Sequence, residues 1–105
     1  MLDQKVAKLL NDQITKEFYS AYLYLDFSNF YYDRGLDGFG NWYKVQAQEE
    51  RDHAMLFIQY LQNNGEKAVL DTIDKPGVVP VSYTHLGAGL AGPHQPWEAG
   101  TYFHD

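Results

Sequence analysis

Glu17, Glu50 and His53 are the residues of this 105-residue chain whose types and spacing could do redox chemistry. Glu50 and His53 form a Glu-x-x-His pair, which sets a carboxylate and an imidazole one helical turn apart, within reach of one metal ion or two adjacent ones. Taken alone the pattern is weak, since a solvated helix face produces it by chance. All three residues, however, fall within faces expected to be buried. An unpartnered carboxylate or imidazole in an apolar core costs several kcal/mol by rough transfer estimates, and a shared metal cation removes that cost. Two carboxylates and one imidazole, with no sulfur, suit iron or manganese better than structural zinc. Glu50 is the natural bridge because its two oxygens can serve two ions. Two ions side by side can share the electrons passed to dioxygen, so that neither releases a free one-electron product.

Other residues cluster around this trio. Glu49 lies about 100° round the helix from Glu50 and reads either as a solvated acid or as an outer ligand on an exit route for oxidised metal. Tyr24, two turns after Glu17 on the same face, reads either as a packed core ring with a satisfied hydroxyl or as a phenol that hydrogen-bonds a ligand or lends an electron. Gln13 and Gln46 are candidate supports for the ligands. His85, His94 and His104 lack regular spacing and carry little weight as ligands.

The elements that must position these groups are two long helices. From about Asp3 to Tyr32 there is no Gly or Pro, and Val6, Leu10, Ile14, Ala21, Tyr24, Leu25 and Ser28 share one arc, with Glu17 at its middle. Asp33-Arg34-Gly35 supplies a stop, with Gly35 suited to the left-handed position past a helix end. Asp37 is placed to cap a second helix running from Gly38 to Asn64. On it Phe39, Tyr43, Gln46, Glu50, His53, Ala54, Phe57, Tyr60 and Leu61 share a face, and Asn63-Asn64-Gly65 ends it. The short turn makes the helices antiparallel. Glu17 lies about 15 residues before the turn and Glu50 about 15 after it, so equal rises of about 1.5 Å per residue bring them to one height. On the opposite side of the first helix, Tyr19, Leu23 and Phe30 form a patch that a monomer would expose, the mark of a partner, unless the tail buries it.

Residues 66–80 lack helical period and contain Pro76 and Pro80. Extended, they reach on the order of 45 Å, enough to run back along the hairpin. After Lys75 the composition changes: every Pro, five of the nine Gly and three of the four His lie in 76–105, with no Lys or Arg. This stretch reads as an irregular tail. Its run Val81-Ser82-Tyr83-Thr84-His85-Leu86 can be back-translated to a transposon end used in preparing sequencing libraries, so an artefactual or frame-shifted origin is the expectation for 76–105.

Composition excludes several classes of function. The net charge of -6 and scattered basic residues argue against nucleic acid, which needs clustered Lys and Arg; an acidic surface can instead concentrate cations. No cysteine is present, which excludes disulfides, iron-sulfur clusters and thiolate haem ligation. Met1 to Asn11 mix Asp3, Lys5 and Lys8 with apolar residues, unlike a signal peptide or a membrane span. A cytoplasmic, non-membrane protein is expected.

The motifs Leu9-Leu10-Asn11-Asp12-Gln13-Ile14, Lys16-Glu17-Phe18-Tyr19-Ser20-Ala21, Gly35-Leu36-Asp37-Gly38-Phe39 and Gln48-Glu49-Glu50-Arg51-Asp52-His53-Ala54 make residues 1–76 resemble prokaryotic non-haem ferritins. The resemblance implies an all-α fold: a ferritin-like antiparallel two-helix hairpin, half of a four-helix bundle, over 1–75. It also implies a ferroxidase that oxidises Fe(II) with dioxygen for iron storage and detoxification in a homo-oligomeric shell. By that resemblance Glu17 and His53 would bind a first iron, Glu50 would bridge to a second, Tyr24 would lie beside it and Glu49 would serve a third. Arg51 stands where similar haem-binding bacterioferritins carry Met, so no haem is expected. The third and fourth helices, with the remaining ligands of the second iron, are missing. Three readings follow: a ferroxidase subunit whose site is incomplete in this chain, a two-helix protein that completes its di-iron site by homodimerisation, or a non-catalytic helical interaction module.

Overall fold

The computed structural model describes residues 2–78 and 80 of the chain. The Val81–Leu86 run and the histidines His85, His94 and His104 lie outside these residues. Two units, Met1–Lys75 and Pro76–Asp105, separate along the chain, and both helices belong to the first. Helix α1 spans Gln4–Asp33 and helix α2 spans Asp37–Asn63. The all-α hairpin is therefore as expected, with boundaries within about a residue or two of those read from the sequence.

Each helix begins and ends for a local reason. Asp3 caps α1, its carboxylate accepting from the Lys5 N–H at 2.8 Å, which satisfies one of the amides a helix start leaves orphaned. Past the other end Gly35 adopts φ +72°, where a side chain would be strained. This lets the Leu36 N–H donate to Tyr31 O and the Gly35 N–H to Tyr32 O, the paired bonds that close a helix C-terminus. Gly65, at φ +73°, ends α2 in the same way, with Glu66 N–H donating to Leu61 O and Gly65 N–H to Gln62 O.

The turn departs from expectation at one point. Asp37 is not the cap of α2. Leu36 occupies that position, without a side-chain hydrogen bond, and Asp37 is the first helical residue. The connection is so short that Leu36 both donates the closing bond of α1 through its N–H and accepts from Gly40 N–H at its carbonyl, at 3.0 Å. Asp37 still places negative charge at the positive end of the helix dipole.

Rings fill the turn-proximal half of the hairpin. Tyr43 lies parallel to Tyr31, with centroids 5.5 Å apart, while Phe27 meets Tyr43 edge-on at 5.3 Å and Tyr24 tilts against it at 5.5 Å. All four are buried, and each large apolar side chain contributes about 1.5–3 kcal/mol of burial. Helix contact is close here because Gly40 has no Cβ: one would sit 2.7 Å from the Tyr32 ring. Ser28 Oγ fills a further polar need by donating to Gly40 O at 2.6 Å. The opposite half is aliphatic, built on Ala7, Ile14, Ala54 and Leu61.

The apolar arcs are only partly as expected. Val6, Leu25 and Tyr60 are exposed, whereas Leu23, assigned above to an exposed patch, is fully buried, and Tyr19 and Phe30 are part-buried. A single wheel cannot represent α1, whose buried face moves along its length between Ala7-Ile14-Ala21-Ser28 and Ser20-Leu23-Phe27-Tyr31.

Residues 66–75 are not helical and run back along α1. Asn11 holds them, its amide donating to Lys67 O at 3.1 Å and accepting from Val69 N–H at 2.7 Å. Leu70 and Ile73 then line a groove with Ile14 and Phe18, and higher up, burial and the Asp74 carboxylate push the Tyr19 phenol above its ordinary value. Among the described residues no helix is long and apolar enough to cross a membrane.

Candidate metal centre

The midpoint of α2 is Glu50, and Glu17 lies near the middle of the 30-residue α1. The antiparallel geometry brings them to one level, as the equal distances from the turn require. Glu17 is 3% exposed and Glu50 1% exposed. His53 joins them with its Nδ1 3.4 Å from Glu17 Oε1 and 3.1 Å from Glu50 Oε1. One donor atom from each residue lies within 4.8 Å of the others, and this is the group of such side chains found among the described residues.

His53 differs from expectation in burial, its side chain being 44% exposed. Residues three apart on a helix are separated by about 60° round its axis. With Glu50 at the centre of the buried face, His53 must stand at its edge. The trio is therefore a site with two walls in the core and one side open.

Electrostatics set the two carboxylates against each other. Burial pushes Glu50 up to about 7, aided by the nearby Glu17 charge and opposed by His53. Glu17 is raised too, by burial first, although the Gln13 hydrogen bond and His53 pull it down. A pair of acids with raised values at one place holds less negative charge than its oxygens could supply, and a divalent cation would restore it by replacing protons. Atoms each about 2.0–2.2 Å from one metal lie no more than about 4.4 Å apart, so donors within 4.8 Å of one another need at most a small side-chain adjustment to share an ion.

One oxygen makes the case sharper. Gln13 Nε2 donates to Glu17 Oε2 at 2.8 Å, fixing the carboxylate, yet Glu17 Oε1 is buried with no hydrogen-bond partner. A buried acceptor left in this state costs about 1–3 kcal/mol. Ser20 Oγ, one turn further along α1 at i+3 from Glu17, is likewise buried without a partner, a position that its spacing from Glu17 alone marks in the sequence. The orphaned Glu17 oxygen faces His53 Nδ1 and Glu50, where a cation bound by all three would satisfy it.

The remaining candidates are placed less centrally. Tyr24 is buried against Tyr43 and Phe27. Glu49 is exposed and acts on the site through its charge, which helps raise Glu50. Gln46 is part-buried on α2. Arg51 points its guanidinium to Asp52 at 3.0 Å on the exposed side.

Comparison with known proteins bears on the whole hairpin. The family model described as "Ferritin-like domain" matches residues 7–90. A bacterial non-heme ferritin of Campylobacter jejuni is 43% identical over 76 residues, covering 72% of this chain and 46% of the relative. One from Bacteroides fragilis is 40% identical over 84 residues, covering 79% and 50%. Among solved structures, an open pore ferritin from the archaeon Archaeoglobus fulgidus superposes with a TM-score of 0.71 at 39% identity, over 73% of this chain and 48% of that one. Chlorobium tepidum ferritin gives 0.75 at 29% identity, over 82% and 53%. The chain thus spans about half the length of the relatives it matches. On the extent of these matches and the shared two-helix fold, the chain belongs to the ferritin-like domain family.

Proposed function

We propose that the chain takes Fe(II) as substrate at Glu17, Glu50 and His53 and carries out the ferroxidase step of iron storage and detoxification. Glu17 and His53 hold a first iron, and Glu50 bridges to a second when one is present. Two Fe(II) each give one electron to a single dioxygen, which takes up two protons to leave as hydrogen peroxide, and both irons become Fe(III). Tyr24 stands beside this site within the core, and Glu49 serves as an outer ligand on the solvent side for departing Fe(III). Oxygen donors with one imidazole and no thiolate favour iron over zinc. Haem has no place in this reading, since Arg51 offers no thioether. A homo-oligomeric assembly and a cytoplasmic location belong to the same reading.

The observation that carries the proposal is the convergence of two buried carboxylates and an imidazole, one carboxylate oxygen being without a hydrogen-bond partner. Oxygen uptake on adding Fe(II) tests it. The wild type should consume dioxygen faster than buffer, Glu17→Ala and His53→Ala should not, and substitutions within 76–105 should leave the rate in place. A wild type no faster than buffer would support a non-catalytic helical module instead.

A further inference from the structure

Asn64 is followed by Gly65, and that pair carries chemistry of its own, independent of the iron site. The side-chain amide carbon of an asparagine is an electrophile on which the next backbone nitrogen can close a five-membered ring, and a glycine leaves that nitrogen unhindered by any side chain. Every other asparagine of the chain lies within a helix, Asn11 and Asn29 in α1 and Asn41 and Asn63 in α2. There the backbone is fixed and the next N–H is held by helical hydrogen bonds. Asn64 alone stands outside, at the C-cap of α2 with φ -101° and ψ 14°. Gly65 is exposed, and nothing lies within 4 Å of the place a side chain would take there. We infer that Asn64 is a site of self-modification, converted through a cyclic imide to aspartate and isoaspartate, and that the conversion loosens the chain leaving α2 from its seat on α1.

The step balances without a redox partner. The Gly65 nitrogen gives up its proton and bonds to Asn64 Cγ, and the Cγ–Nδ2 bond breaks to release ammonia. Water then opens the ring at either of its two carbonyls. Cleavage at Cγ restores the backbone with an aspartate, whereas cleavage at the main-chain carbonyl carbon routes the backbone through Cβ and Cγ, which is isoaspartate. Two hydrogen bonds restrain the reaction: Gly65 N–H donates to Gln62 O at 3.1 Å, and Asn64 Nδ2 donates to Tyr60 O at 2.9 Å. Both belong to the last turn of α2, and helix ends open by fraying without unfolding the rest. The products cannot close this turn as before. A carboxylate at 64 has no proton to give Tyr60 O and puts negative charge at the negative end of the helix dipole. Isoaspartate also lengthens the backbone by one carbon, which shifts the bonds from Gly65 to Gln62 and from Glu66 to Leu61 out of register. Lys67 and Val69, the residues that Asn11 holds, follow directly, so the disturbance reaches the attachment of this segment to α1.

Incubation of the full chain for days in mildly alkaline buffer, followed by peptide mapping in a mass spectrometer, tests this. We expect the small mass gain of an amide turned to an acid at Asn64 and at no other asparagine, with part of the product accepting a methyl group from an isoaspartate-specific methyltransferase. Asn64→Gln, whose longer side chain would need a six-membered ring, should stay unmodified, and the wild type in urea should react faster than when folded. Asn64→Asp copies one product. Its amide exchange protection at Gly65 and Glu66 should fall about two- to fivefold, with a smaller loss at Val69 and none at Tyr24. No reaction at Asn64 in the folded chain, or gains spread equally over Asn11, Asn29, Asn41 and Asn63, would overturn the site. Unchanged protection at Glu66 and Val69 in Asn64→Asp would overturn the loosening.

Discussion

The turn-proximal half of the hairpin and its middle are built on opposite terms. Near the turn, rings stack and interlock around Tyr43, Ser28 Oγ finds Gly40 O, and two helix ends close through Gly35 and Leu36. One turn or two away, the core takes in Glu17, Glu50 and Ser20, with one carboxylate oxygen and one hydroxyl lacking partners. Folding alone would replace those acids with leucine. The difference teaches that the ends of the hairpin stabilise a middle that is unfavourable without a ligand, an arrangement in which a local violation of packing rules marks function.

The comparison can be broken most severely at the aromatic end. Tyr43→Ala removes the ring that touches Tyr24, Phe27 and Tyr31, and should cost about 3–5 kcal/mol, enough to abolish a cooperative thermal transition followed by circular dichroism. The middle should respond in the reverse direction. In the metal-free chain Glu50 titrates at about 7 when folded, against 4.5 ordinarily. Below pH 4.5 both states are protonated, and between the two values the folded state keeps a proton that the unfolded chain has released, so stability falls as pH rises. This amounts to roughly 3 kcal/mol across the window, with Glu17 adding in the same sense. Urea midpoints should therefore drop from pH 4.5 to 7.5, and Glu50→Gln should flatten the drop and be more stable than wild type at pH 7.5. A slope unchanged by that substitution would place the titration elsewhere.

Smaller effects sharpen the contrast. Gln13→Ala frees the Glu17 carboxylate to turn and should weaken Fe(II) binding about tenfold in anaerobic calorimetry, with helicity unchanged because Ala is the better helix former. Asp3→Ala removes the cap of α1, far from the site, and should cost about 1 kcal/mol in urea unfolding with no change in Fe(II) affinity.

Much of this was legible in the residues. Gly-free runs and the Gly35 and Gly65 stops marked both helices, and counting outward from the turn brought Glu17 to Glu50. What escaped reading depended on the third dimension. Asp37 looked like a cap, yet a turn this tight needs Leu36 for both helices at once. Val6 and Leu25 fit a wheel with a fixed face, but the buried face of α1 shifts along its length. His53 was expected inside, although its 60° offset from a centred Glu50 already placed it at the rim. The orphaned Glu17 oxygen has no counterpart in a sequence pattern at all, since it depends on which neighbour arrives within hydrogen-bonding distance.

Asn11 has a consequence beyond its two hydrogen bonds to the backbone of Lys67 and Val69. Acting as a stand-in for a neighbouring strand, its amide steers the chain leaving α2 onto the Asn11-Thr15-Phe18 flank of α1, well round the cylinder from Gln13 and Glu17. Had this segment taken the other flank, it would have roofed the imidazole. One side-chain amide, bonded to the first residues of the segment it guides toward Asp74, thereby decides which door to the acids stays open.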